Sequence, residues 1–409
     1  MSESGGHVNR LLVAKGLRAF GDGFVSLLLP VYLLELGFGA LEVGFIATAT
    51  LLGSGLLTLL VGVRAHRYQY RTLLLAATAL MAATGVGYAF VTDFWPLMVV
   101  ALVGTLNPSG GDVSVFLPLE HAVLSRVVSD RKRTVVFARY SLVGSLVAAF
   151  GSLAAALPTL IVSTTHIAPL SAMQSMFILY ALLACASAVV YSGLPRLSDT
   201  DARAPAAPLE KSKKTVYTLA ALFSLDSFGG GFVVQSMLAL WLYQRYGMSP
   251  ATAGAIFFWM GLLTAFSYLV AVRIAERIGL VNTMVFTHLP SSVCLILVPF
   301  MPDVGYAIAL LCIRSALSQM DVPTRSSYVM AIVPPAERAA AASVTAVPRS
   351  LASAASPSIA GYMLAASSFG WPLIAAGALK IVYDILLLAM FRTVRPPEEE
   401  ARKSPAAKL

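Results

Sequence analysis

The sequence predicts an all-α polytopic membrane protein with twelve transmembrane helices in two pseudo-symmetric six-helix bundles. Three observations lead there. Of 409 residues, 58% are hydrophobic and only 12% are charged, against roughly a quarter charged in a soluble protein. The apolar residues fall into twelve runs long enough to cross a bilayer. The second six runs also repeat features of the first six, in the same order.

A membrane span needs about 20 mostly apolar residues. That window places spans at 11–36, 40–63, 73–92, 95–126, 134–157, 171–194, 215–242, 251–272, 283–300, 304–333, 339–366 and 370–391. The first run lacks a short apolar core and small-residue cleavage site, so it is expected to be a retained span. An even number of spans puts both termini on one side. Loops on that side carry Arg64, Arg67 and Arg71, then Arg126, Arg131, Lys132 and Arg133, with further basic residues in the central loop and tail. The opposite loops offer only Arg245. The positive-inside rule therefore predicts cytoplasmic termini in a cell (inner) membrane. The basic residues, +9 net, follow topology and form no nucleic-acid patch. Cys185, Cys294 and Cys312 sit in apolar runs without metal-ligand or disulfide spacing.

The stretch PRLSDTDARAPAAPLEKSKK reads as a flexible cytoplasmic linker, 195–214. It separates a first half, 1–194, from a second, 215–392, with a disordered tail at 393–409. Sliding one half over the other sets LRAFGDGFV (17–25) on LDSFGGGFV (225–233) at an offset of 208. With a two-residue insertion, Gly37 and Gly44 then fall on Gly247 and Gly254. GVRAHR (62–67) lies over VRIAER (272–277), and PLEHAVLSRVVSDRKR (118–133) over PTRSSYVMAIVPPAER (323–338). An offset that drifts slowly in chain order marks a duplication.

Over residues 9–392 the chain resembles the major facilitator superfamily, whose two six-helix bundles are related by a pseudo-two-fold axis. The loop after the second span carries Gly62, Arg67 and Arg71 at places matching that family's G-x-x-x-D-R-x-G-R-[RK] motif. The second half carries Glu276, Arg277 and Gly279. The resemblance implies secondary active transport by alternating access, with spans one, four, seven and ten lining the cavity. It implies no enzyme activity and no cofactor. The expected partners are a small-molecule substrate, protons and the lipid bilayer, with no nucleic acid, and the chain is expected to act as a monomer. The favoured reading is proton-coupled export of a small polar, anionic or zwitterionic solute. Its alternatives are proton-coupled uptake of such a solute, or efflux of a metal cation or drug.

Charges inside spans are costly and mark function by default. Arg10, Lys15, Arg126 and Arg392 are close enough to span ends to snorkel. Arg18, about 12 Å in from Arg10, and Asp22, about 18 Å in, are not. Asp226, Asp112 and Asp321 reach similar depth, and Glu120 and Arg325 lie shallower. All seven fall on spans one, four, seven and ten. The repeat sets Arg18 on Asp226 and Glu120 on Arg325, with charge inverted at both positions. Such mates could pair as a gate across the two halves, Arg18 with Asp226 and Glu120 with Arg325. The competing arrangement pairs each within its own half, Arg18 with Asp22 and Asp321 with Arg325 at i,i+4.

Asp22, whose mate is Gly230, is the first candidate for carrying a proton, with Asp112 and Asp321 as rivals. An ion pair with Arg18 or Arg139 is the structural alternative. NPSGGD (107–112) interrupts span four, either as a broken helix or as a proline kink. Arg18, Asn107, Asp226, Arg325, Phe20 and Phe228 are the candidate cavity residues. In DVPTR (321–325), Pro323 is expected to free a carbonyl near Arg325. Lys380 and Asp384, at i,i+4, are expected to form an ion pair, and no metal site is expected.

Overall fold

The computed structural model describes residues 2–64, 68–109, 114–128, 130–195, 209–334 and 337–394. Every regular element in them is helical. The first three spans are α1 (Ser2–Glu35), α2 (Ala40–Arg64) and α3 (Tyr70–Phe90). The fourth is split into α4 (Phe94–Val103) and α5 (Phe116–Val127). The fifth is α6 (Asp130–Leu153), continued through a 3-10 turn into α7 (Leu157–Thr165), and the sixth is α8 (Pro169–Ser192). The seventh is split into α9 (Lys213–Gly231) and α10 (Gln235–Tyr246). Spans eight and nine are α11 (Pro250–Ile278) and α12 (Leu280–Leu297). The tenth comprises α13 (Val304–Ser318) and α14 (Asp321–Ile332), followed by α15 (Arg338–Ala366) and α16 (Trp371–Phe391).

Nine segments among the described residues are long and apolar enough to cross a membrane by themselves. The other three spans depart from that pattern for local reasons. α4 ends on Gly104 and stays non-helical through Asn107 and Pro108, so the fourth span is a broken helix, not a kinked one. The tenth pauses at Gln319–Met320, ahead of DVPTR. Pro323 therefore stands in the first turn of α14, where an amide has no intrahelical partner. It permits a restart and frees no carbonyl inside a helix, contrary to expectation. α15 is long but rich in Ala and Ser. The fifth span runs past its expected end at 157 because LPTLIVSTT stays apolar and Pro158 sits at a helix start, where proline is tolerated.

Backbone contacts divide the chain into two compact units. Unit 1 comprises Met1–Ala202, Val233–Leu262 and Pro357–Gly370. Unit 2 comprises Arg203–Phe232, Leu263–Ser356 and Trp371–Leu409. In unit 1, α1 packs on α6 and α8, and α3 on α8. In unit 2, α12 packs on α13 and α16, and α9 on α16, around Leu219, Phe223, Met284, Tyr328, Tyr383 and Leu387.

The repeat reappears in the backbone. Gly37 and Gly247, aligned mates, both end a helix with positive φ, 90° and 60°, which a Cβ would disfavour. Gly44 and Gly254 are also mates, and both sit at close helix crossings within unit 1. A Cβ on Gly44 would lie 2.9 Å from the Cα of Gly361, and one on Gly254 would overlap the Ser152 carbonyl. Small residues allow such approach in membranes, where packing rather than the hydrophobic effect joins helices.

Candidate functional site

In unit 1 the first buried cluster is built on α1, α5, α6 and α8. Arg18 is brought to Glu120, 102 residues away, and Nη2 donates to its Oε2. Tyr140 on α6 donates to the same oxygen. Tyr191 on α8 donates to Oε1 at 2.6 Å while accepting from Arg18 Nε at 3.1 Å. The Arg18 guanidinium lies 4.0 Å from the centre of the Phe116 ring, a cation–π geometry. Glu120 is fully buried and Arg18 nearly so. Every charge here meets an opposite charge or a hydroxyl, as a buried ion pair requires. Lys15 is also buried, 5.2 Å from the Tyr140 ring centre. It therefore does not snorkel as expected, because α6 covers it, its Gly144 admitting the side chain.

Asp22, one turn further along α1, is half-buried. Tyr180 on α8 lies 3.5 Å from Asp22 Oδ1 and 3.4 Å from the Thr105 carbonyl in the fourth-span break. Arg139 is exposed on α6 and makes no ion pair among the described residues, so the Asp22–Arg139 alternative is not formed. Asn107 is buried in the break, its Oδ1 accepting from the backbone and hydroxyl of Ser109 at 3.1 and 2.6 Å. The Pro108 carbonyl, freed by the break, accepts from the Ser236 amide at the start of α10, 3.0 Å away. Two interrupted spans thus meet at Pro108. Asp112 lies outside the described residues.

In unit 2 the charges gather on α9, α12, α14 and α16. Asp226 Oδ2 accepts from Arg325 Nη2 at 2.8 Å, and Oδ1 from Lys380 Nζ at 2.7 Å. Arg325 also pairs with Asp321 one turn before it. His288 Nδ1 lies 3.0 and 3.1 Å from the two oxygens of Asp384. Its Nε2 faces Asp226 Oδ1 at 3.6 Å and Lys380 Nζ at 3.5 Å.

Arg18 binds Glu120 within unit 1 and Arg325 binds Asp226 within unit 2. Each repeat copy holds its own bridge, with the polarity exchanged between copies. One expected pairing is corrected: Lys380 and Asp384 do not pair. The lysine reaches Asp226 and the aspartate takes His288. Phe20 and Phe228 are partly buried and each packs edge-on against the aromatic four residues later, Phe24 at 5.9 Å and Phe232 at 5.4 Å. Tyr140, Tyr191, Tyr180 and His288 were not singled out from the sequence. His288 carried a usable signal, a titratable residue inside the ninth apolar run. The tyrosines carried none, since aromatics are common in such spans.

At the span ends, Gly62 is exposed near the end of α2, Arg71 stands in the first turn of α3, and Arg67 lies outside the described residues. Glu276 and Arg277 stand at the end of α11. Gly279 follows with φ 90° and turns the chain into α12. Beyond the tenth span, the Glu337 carboxylate accepts from the Lys211 and Ser212 amides at 3.0 and 3.1 Å and from the Ser212 hydroxyl. The hydroxyl and then the Lys211 amide favour its charged form and hold its pKa down at about 2.

Residues 11–225 and 218–408 match the sequence model of the Major Facilitator Superfamily. The chain belongs to that superfamily. As a superfamily member it is a multi-pass membrane transporter and not an enzyme, and its twelve-span, two-bundle architecture is that of the superfamily's solved structures. It is 24% identical over 411 residues to the uncharacterized membrane protein YJR124C of Saccharomyces cerevisiae, covering 92% of each chain. Its fold is similar to that of the nucleoside transporter NupG, with a TM-score of 0.70 and 15% identity over 94% of this chain and 99% of that one. It is also similar to the inward-open xylose transporter XylE from E. coli, with a TM-score of 0.71 and 13% identity over 96% and 97% of the two chains.

Proposed function

We propose that this superfamily member is a proton-coupled secondary active transporter that takes up a small polar organic solute by symport. The observation that carries the reading is a buried titratable group among the charges of the unit 2 cluster. The carboxylates Asp226 and Asp321 are bridged by Arg325 and Lys380, with Arg349 at longer range, and His288 lies between Asp384 and Asp226. Charged and titratable groups inside spans mark function by default. A group there that gains and loses a proton can couple that event to solute movement. Asp22 and Asp321, with Asp112, remain the proposed carboxylate contributors to coupling. Asn107 and the broken fourth span, together with Phe20 as a further candidate, remain the proposed solute contacts, because interrupted helices offer free backbone groups.

Uptake now stands ahead of export. Fold neighbours include proteins named as nucleoside and xylose transporters and a POT family transporter in complex with a thioalcohol-conjugated peptide. All three names denote small polar solutes, and nothing in the buried clusters resembles a greasy drug site. Both termini are proposed to be cytoplasmic, on the loop charges. The halves 1–194 and 215–392 are proposed as the moving bundles, with 195–214 as their linker.

The test is uptake by purified protein in proteoliposomes with an imposed inside-alkaline pH gradient, using labelled nucleosides, pentoses and dipeptides. The expected result is uphill accumulation of one class, abolished by a protonophore. Facilitated entry that ignores the gradient would overturn proton coupling. Gradient-driven expulsion would restore export.

A further inference from the structure

Among the described residues of the unit 2 cluster, His288 and Asp384 pair with each other and form no salt bridge of their own with Arg325 or Lys380. The His288 ring sits on α12 between two partners that treat its nitrogens differently. Asp384, fully buried on α16, spans Nδ1 with both oxygens at 3.0 and 3.1 Å and so demands a proton there. In the neutral ring Nε2 is then a lone pair, and Lys380 Nζ at 3.5 Å is the donor facing it. The same ammonium donates to Asp226 Oδ1 at 2.7 Å, while Nε2 itself is 3.6 Å from that oxygen.

The remaining charged neighbours come from every element around the ring. Arg325 and Asp321 on α14 bind each other, and Arg325 binds Asp226 on α9. Tyr383 on α16 packs edge-on to the imidazole at 5.9 Å. Arg314 on α13 interacts with Cys294, further along α12, and Arg349 on α15 interacts at longer range with Asp226 and Asp321. None of these competes for Nε2.

Adding a proton at Nε2 forms an N–H bond and breaks an O–H bond of the hydronium ion that delivers it, which leaves as water. Its consequences are directional. The ring becomes a donor at both nitrogens, it turns a positive N–H toward the Lys380 ammonium, and it gains a claim on Asp226 Oδ1. Two cations then contend for one oxygen. Lys380 is the one able to leave, because its stem is flexible, its side chain is already 11% exposed and Gly230 beside it has no side chain in the way.

We propose that His288, oriented by Asp384, takes up the coupling proton and that its protonation displaces Lys380 from Asp226. This rests on the proton-coupled reading above. It makes His288 and Asp384, on spans nine and twelve, the proton-binding pair, ahead of the carboxylates of spans one, four and ten.

The test uses full-length protein with ¹⁵N-labelled histidine rings. The chain has five histidines, and variants at His7, His66, His121 and His166 assign the fifth signal without touching the cluster. The expected spectrum shows His288 with a single N–H, at Nδ1, in an alkaline sample and with an Nε2–H gained on acidification. In D384N at about pH 8 the tautomers should mix. In proteoliposomes, H288Q that elutes as a folded monodisperse species should lose gradient-driven accumulation. An unchanged His288 ring from about pH 8 to 5 in protein whose transport follows the gradient overturns this inference alone. Transport by the unmodified protein that ignores the gradient overturns it together with the proton-coupled reading.

Discussion

The Arg18–Glu120 bridge makes a sharp energetic prediction. Replacing Glu120 by Gln keeps the shape of the side chain but removes its charge, leaving the Arg18 guanidinium without a counter-ion at 4% side-chain exposure. Breaking a buried pair from one side costs about 3–5 kcal/mol. The Phe116 ring at 4.0 Å recovers about 2 kcal/mol at most, and it does so already in the intact protein, so it offsets nothing new. E120Q should therefore lower stability by roughly 3 kcal/mol or more, and R18M, which leaves a buried carboxylate with two tyrosine donors, by a similar amount. The double variant R18M/E120L should recover most of the loss, because a well-packed apolar replacement of a buried pair is near neutral. The assay is unfolding in detergent followed by tryptophan fluorescence, analysed as a double-mutant cycle. Additive losses, with a coupling below about 0.5 kcal/mol, would refute a direct bridge.

Three further outcomes follow from other parts of the molecule. In G44L a branched side chain would be forced onto Pro357 and Gly361, where even a Cβ would lie 2.9 Å from a neighbouring Cα. A loss of about 1–3 kcal/mol is expected in the same assay, and an unchanged midpoint would show that the crossing opens freely. Glu337 has its pKa depressed to about 2 from the usual 4.5, so its clasp on Lys211 and Ser212 is fully present above pH 4.5 and is lost as pH falls toward 2. Protease cutting near residue 211 should rise across that window in the native protein and should already be high at neutral pH in E337Q. For Asp22, D22N should weaken the pH-gradient dependence of transport, and transport with full gradient dependence would remove Asp22 from the coupling groups.

Membrane class and span number were legible because hydropathy is a local property that about twenty residues suffice to express. An interruption at NPSGGD was legible for the same reason, since Gly and Pro act on their own backbone, but whether it breaks or kinks the helix was not. Partner choice was not local. Arg18 meets Glu120 across 102 residues and Lys380 meets Asp226 across 154, and which helices adjoin is decided by packing, for which Gly23 on α1 and Gly151 on α6 are the local means. The i,i+4 rule also misled for Lys380 and Asp384. They share a helix, but α9 and α12 supplied each with a partner from outside it.

The inverted mates carry a sharper lesson about duplicated proteins. A duplication copies contacts within each half before it creates any between halves. If spans one and four touch in the first copy, spans seven and ten touch in the second. A charge reversal at a single mate would then break one bridge and be selected against. A reversal at both mates together leaves a bridge intact in each copy, only with its polarity exchanged. Simultaneous inversion at Arg18/Asp226 and Glu120/Arg325 is therefore the sign of a pair inside each half, which is how the structure arranges them. What distinguishes the copies is what was added around the bridge. The first half surrounds Glu120 with two tyrosine hydroxyls, which satisfy it and fix it in place. The second surrounds Asp226 with Lys380 and His288, which can trade places on one oxygen. The same inherited bridge thus serves as a strut in one half and as an exchangeable site in the other.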